Sequence, residues 1–293
     1  MMMIREPIVA GKFYPADSAA CRREVAALVD GLPPDEAIAG RTLPAGVVPH
    51  AGWAFSGRVA ARVFRALAAG RSPSVVVLLG GVHRYRAREA AIFPAGRWET
   101  PLGAIEIDAR LCERILGHTN IIIEDPHAHE EEHSLEVQAP LVKHFFPDAK
   151  IVPIMVPSAE HARAVGESIA GTIKAYRYDA VIVGTTDLTH YGPRYGLLGH
   201  GVGDAGTRWA KQQNDTRMIE LIRDMQIDRI MPEALTHKNA CSSGAVAATM
   251  AAAMKLGATE GILLDHTSSA EIIASRTGQA SEDSVGYAGF VFA

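Results

Sequence analysis

Short apolar runs, several of them β-branched and each closed by turn residues, recur at 46–49, 74–79, 105–107, 121–123, 151–156, 180–183, 261–264 and 284–291. Each has the length of a strand. Between many of them, apolar residues return every three or four positions, over 18–29, 57–69, 109–116, 159–175, 215–224 and 243–256. That is the spacing of a helix with one buried face. Strands apolar on both faces, alternating with helices, belong to a sheet covered on both sides. The pattern predicts an α/β fold with a central, mostly parallel or mixed β-sheet and helices on both faces. No internal repeat, low-complexity stretch or long Pro/Gly/Ser linker divides the chain, so residues 1–293 are expected to form a single domain. The most polar segment, 195–213, reads as a functional loop rather than a boundary.

Composition narrows the function without naming it. With 48% hydrophobic and 21% charged residues, the 293-residue chain suits a globular protein with a large core, not a disordered one. A net charge of −4 gives no electrostatic reason to bind nucleic acid or an anionic membrane. No run approaches the roughly 18 uninterrupted apolar residues of a spanning helix. The N-terminus lacks the charged-then-apolar pattern of a signal peptide, so a soluble, cytoplasmic protein is expected. Cys21, Cys112 and Cys241 are too few and too scattered for a disulfide framework or a zinc ribbon. Cys21 and Cys112 fall inside helical patterns and read as inert core residues.

Candidate chemistry collects where strands end. In open α/β sheets, ligands gather at the carboxyl ends of the strands. The run at 46–49 delivers His50 in Pro49-His50-Ala51-Gly52-Trp53, and the run at 74–79 delivers His83 in Gly80-Gly81-Val82-His83. The run at 180–183 delivers Asp187 and His190. Any one such histidine is ordinarily a hydrogen-bonded surface or core residue. Three loops that the fold brings to one edge point instead to a shared site, and imidazole is the commonest metal ligand. Cys241 stands just before an alanine-rich helix, where the positive end of a helix dipole favours a thiolate. It is a candidate metal ligand or nucleophile. A fourth cluster, from His127 to Glu136, contains His129-Glu130-x-x-His133, formally a zinc-protease pattern that needs a long helix. Pro126 before it, Pro140 after it and the weak helical stripe from 134 to 140 argue against that helix. His133 and Glu136 read as pocket walls or as partners that orient the ligands.

Taken together and in order, six motifs spanning the chain resemble the Memo family (AmmeMemoRadiSam system protein B). They are Ala10-Gly11-Lys12-Phe13-Tyr14-Pro15, Pro49-His50-Ala51-Gly52-Trp53, the turn ending in His83, Glu132-His133-Ser134-Leu135-Glu136, Thr186-Asp187-Leu188-Thr189-His190-Tyr191-Gly192 and Asn239-Ala240-Cys241. The resemblance implies a fold similar to class III extradiol dioxygenases, which hold non-haem Fe(II) at the edge of a central sheet. It also implies an iron or copper ion held by two histidines and a cysteine, here His50, His83 and Cys241. Asp187 and His190 fall on the family's remaining pocket motif, and His133 on its Glu-His-Ser motif. Five positions depart from the family pattern: Gly81 replaces a Pro, Thr185-Thr186 a Ser pair, Trp53 a Tyr, and Ser242 the Gly after the cysteine.

The expected function is a metal-binding redox protein, a dioxygenase-like oxidoreductase acting on a small molecule, with iron(II) or copper(I) ahead of zinc. His190 would serve as the acid/base, oriented by Asp187, with His133, Glu136 and Trp53 around the pocket. A His/His/Cys set is softer than the 2-His-1-carboxylate set of Fe(II) oxygenases and favours Cu(I), so dioxygenase chemistry does not follow from the fold. Two alternatives stand beside it. One is a phosphopeptide-binding or partner-binding module in which Arg58, Arg84, Arg86 and Arg194 contact phosphate. The other is a hydrolase that uses zinc or the Cys241 thiolate.

Overall fold

The computed structural model describes residues 2–84 and 88–293. In chain order its elements begin β1 (Ile4–Arg5), α1 (Ser18–Val29), β2 (Ala45–Val48), α2 (Trp53–Ala68), β3 (Val75–Gly80), β4 (Ala90–Ile92), β5 (Arg97–Trp98) and β6 (Ile105–Glu106). There follow α3 (Ala109–His118), β7 (Ile122–Glu124), α4 (Ala139–Phe145), β8 (Lys150–Met155), α5 (Ala162–Ala175), β9 (Ala180–Thr185) and β10 (His190–Tyr191). The last third holds α6 (Asp204–Trp209), α7 (Thr216–Arg223), α8 (Ile227–His237), α9 (Ser243–Lys255), β11 (Gly261–Ser268), α10 (Ser269–Thr277) and β12 (Ser284–Phe292).

The large sheet is mixed. Strands run in the order β10-β12-β2-β9-β3-β8-β4-β7, with β11 also paired to β12. β2, β9, β3 and β8 are mutually parallel and fully apolar over most of their length, as burial on both faces requires. β12 pairs antiparallel to β2, and β4 antiparallel to β8. A small second sheet joins β1, β5 and β6. Helices cover both faces, and two glycines show how closely. A Cβ on Gly46 of β2 would press into Val63 of α2, whereas one on Gly184 of β9 would press into Thr249 of α9. Residues that pair across neighbouring strands share a face, and Gly184 pairs with Val47, the residue after Gly46. The two glycines therefore admit helices to opposite faces. Nearly all the buried apolar side chains form one continuous cluster. Among the described residues, no helix is long and apolar enough to cross a membrane.

The segment 195–213 departs from the expected loop. It contains α6, and a π-helical turn, Ala210–Asp215, follows directly. Just beyond the segment, Asn214 and Asp215 are buried and hydrogen-bonded, Asp215 to the Thr189 amide and to His266. Pro232 inside α8 hides that helix from the pattern.

Candidate metal centre

The parallel strands β2, β9 and β3 are neighbours, so their carboxyl ends deliver three loops side by side. Pro49 closes β2, and His50 follows it at 2% exposure. The Asp187 carboxylate accepts from the His50 amide at 2.8 Å, while His50 Nδ1 lies 3.0 Å from the Thr185 hydroxyl. This leaves Nε2 facing the site. His83, three residues past β3, is gripped by Glu132, whose carboxylate accepts from the His83 amide (2.8 Å) and lies 3.0 Å from Nδ1. A carboxylate accepts only, so Nδ1 carries the proton and Nε2 again faces inward. Cys241 sits at the mouth of α9, half-buried, with Sγ 3.2 Å from His50 Nε2. Its sulfur accepts from the Asp187 amide at 3.2 Å, and its own amide donates to the Asp187 carbonyl at 3.1 Å. The two loops are thus clipped together.

The third imidazole is His133. One donor atom from each of His50, His83 and His133 lies within 4.8 Å of the others. Their ring centroids are 5.0–5.6 Å apart. The His/His/Cys trio and this His/His/His trio share His50 and His83.

Charge is distributed unevenly. Burial by itself would lower the His83 pKa, but hydrogen bonds to Cys241 and Glu132 raise it to about 9. Burial would raise Glu132, yet His83 and the Ser134 and His83 amides hold its carboxyl well below the usual range. His133 is lowered to about 4, by burial first and by His50 second. Burial also lowers His190.

Several residues play other parts than those expected of them. His190 lines the same edge, but its Nδ1 is 3.2 Å from the Leu188 carbonyl rather than on Asp187, whose Oδ1 holds the His50 amide. Glu136 does not orient an imidazole. Its carboxylate accepts from Arg5, from the Ile8 and Val9 amides and from the Tyr14 hydroxyl, all in the N-terminal segment. Trp53 is a core residue whose indole N–H donates to the Val137 carbonyl. His129 ends a short 3-10 turn, Pro126–His129, and points into the core, where Nε2 meets the Ala91 carbonyl. No long helix stacks it with His133, so the zinc-protease pattern is accidental. Arg58 donates to the Asp30 and Gly31 carbonyls beyond α1. Arg86 lies outside the described residues. Glu132 carries no assigned role in the sequence beyond opening the Glu132–Glu136 motif, and only the fold makes it the partner of His83.

The profile of the Memo-like protein family matches residues 5–291. This chain belongs to the Memo family. It is 34% identical over 300 residues to a MEMO1 family protein of Methanopyrus kandleri, covering 99% of each chain. A MEMO1 family protein of Methanothermobacter thermautotrophicus is 35% identical over 299 residues, covering 98% of this chain and 99% of its own. At the level of fold alone, the chain is similar to the crystal structure of an uncharacterized protein from Escherichia coli K12. The TM-score is 0.50 at 12% identity, covering 86% of this chain and 100% of the other. Two departures from the Memo pattern meet in space: a Cβ on Gly81 would run into the Ser242 hydroxyl and come within 2.6 Å of its Cβ. The small residue at 81 makes room for the larger one at 242, and the loops carrying His83 and Cys241 keep their close approach.

Proposed function

We propose that this protein binds one redox-active metal ion, iron or copper, at the carboxyl edge of its sheet and acts as a metal-dependent oxidoreductase on a small molecule. The observation that carries the reading is the convergence of three imidazoles and one thiol from four separate loops, with Cys241 Sγ already 3.2 Å from His50 Nε2. Metal–nitrogen and metal–sulfur bonds of about 2.0–2.3 Å hold donors roughly 3.3–3.8 Å apart in a tetrahedral site. The thiol–imidazole pair is just short of that spacing, and the imidazole trio needs to close by about an ångström, so the donor set fits. His50, His83 and Cys241 would hold the ion, with His133 as a fourth donor. A thiolate among imidazoles suits copper(I) or iron, and a metal bound there would supply one-electron chemistry.

The chain's own residues supply the remainder. Thr185 and Glu132 fix the two imidazoles so that each offers Nε2. His190, kept neutral near pH 7 by burial and tied at Nδ1, is free to take a proton at Nε2. Phe13 lies edge-on to His133 at 5.1 Å and Tyr195 edge-on to His190 at 5.1 Å, so aromatic walls flank the edge and limit water. Elemental analysis of anaerobically purified protein tests the reading. One iron or copper per chain, lost in His50→Ala and Cys241→Ser variants, is the expected result. Stoichiometric zinc, or iron and copper unaffected by those changes, would overturn it.

A further inference from the structure

Arg5 stands far from the metal-site loops in sequence, yet it is buried to 6% exposure and all three faces of its guanidinium are used. Nε donates to the His129 carbonyl (3.0 Å), Nη2 to the Glu132 carbonyl (2.7 Å) and Nη1 to the Glu136 carboxylate (2.8 Å). The guanidinium also lies over the Trp98 ring, 4.4 Å from its centroid. The fork therefore spans the turn 129–136 from behind. That turn carries both site residues supplied by the region: the Glu132 carboxylate, which grips His83 and accepts from the His133 and Ser134 amides, and His133 itself.

The same segment reaches the site from a second side. Glu136 collects the Ile8 and Val9 amides and the Tyr14 hydroxyl, which fixes the path of residues 8–14. Phe13, in the middle of that path, presents its edge to the His133 ring, and its carbonyl accepts from the Trp53 amide at 2.7 Å. The ion pair between Arg5 and Glu136 is 5% and 2% exposed at its side chains. Removing two charges from water is expensive, so such a pair is poor evidence for stability as such; its value lies in fixing one geometry. A planar guanidinium sends donors from three nitrogens in fixed, divergent directions to the two carbonyls and the carboxylate, whereas an ammonium gathers all its donors on one nitrogen.

We infer that Arg5 is a positioning residue for the metal centre: by bridging the His129 and Glu132 carbonyls to Glu136, it sets the turn that aims Glu132 at His83 and His133 at the ion. The inference rests on the metal reading above and adds the N-terminal segment to the site. Partners that orient metal ligands typically contribute 10–100-fold to affinity. Arg5→Lys keeps a cation beside Glu136 but loses the fork, so it separates positioning from the burial of an unpaired charge. Titration of the full-length protein with Cu(II), followed by electron paramagnetic resonance, is the test. The expected result is a Kd raised about tenfold or more and fewer coupled nitrogens than in the wild type, in a protein whose circular dichroism is unchanged. If Arg5→Lys does not fold, Arg5→Met/Glu136→Gln, which removes both charges together, takes its place with the same expected readouts. A merely structural role would lower the melting temperature while leaving Kd and nitrogen count at wild-type values, and that result would overturn the inference with the metal reading intact. A wild-type protein that binds neither Cu(II) nor Fe(II) would instead remove the metal reading itself, and the inference with it.

Discussion

His129 should make the protein acid-labile in a way that one substitution removes. It is 1% exposed and packed edge-on against Phe93 and Trp98, with Nε2 3.0 Å from the Ala91 carbonyl. That bond fixes the proton on Nε2, and Nδ1 meets no donor or acceptor among the described residues. Protonation would put a second N–H, without an acceptor, and a charge into the core near Arg5. Burial above all lowers the folded-state pKa to about 3 from the ordinary 6.5. The sign follows from linkage: below pH 6.5 the unfolded chain takes up a proton that the folded one refuses, so stability is complete above 6.5 and falls until about pH 3. Each unit is about 1.4 kcal/mol, so the loss at pH 5 is about 2 kcal/mol, or roughly 4–8 °C in melting temperature. His129→Gln keeps an amide donor for Ala91 and cannot titrate. Thermal or urea melts of chelator-treated protein at pH 7 and pH 5 should show the wild type losing about 2 kcal/mol more than the variant over that interval. Equal losses would mean that His129 is not the buried neutral group described here.

Three further outcomes are expected. Cys241→Ser should weaken metal binding and leave the melting temperature of chelator-treated protein nearly unchanged, while peptide mapping after mild peroxide finds Cys241 modified first, because burial pushes the Cys21 and Cys112 thiols up to about 11 and about 12. Gly81→Ala should destabilise by about 1–3 kcal/mol through overlap with Ser242 and recover most of this in Gly81→Ala/Ser242→Gly; additive effects in a denaturation cycle would refute the contact. Copper(I) or iron(II) at about 100 times its Kd should raise stability by about 2.7 kcal/mol, and a melting temperature indifferent to either metal would count against a site formed only in the folded chain.

Much of the architecture is local in origin, and the sequence determined it. The apolar runs that became β2, β3, β8, β9 and β12 needed only their lack of polar faces to declare a buried sheet, and α1 and α9 lie within a residue of their periodic patterns. Strand ends and turn glycines marked the loops of His50, His83 and Asp187, because a parallel sheet sends its carboxyl ends to one edge. What the sequence could not decide was which neighbours each polar side chain would find. His129 and His133 share one motif, yet a 3-10 turn sends one into the core and the other into the site. Glu132 and Glu136 share another, and only packing made the first the partner of His83 and the second the anchor of residues 5–14. The π-helical turn at Ala210–Asp215 ends in two buried polar residues, Asn214 and Asp215, whose partners Thr189 and His266 come from distant parts of the chain. Periodicity reports the side of an element that faces apolar surroundings; the pairing of buried charges and donors across more than a hundred residues is set by tertiary contact alone, because a polar group is buried only where its partner already waits.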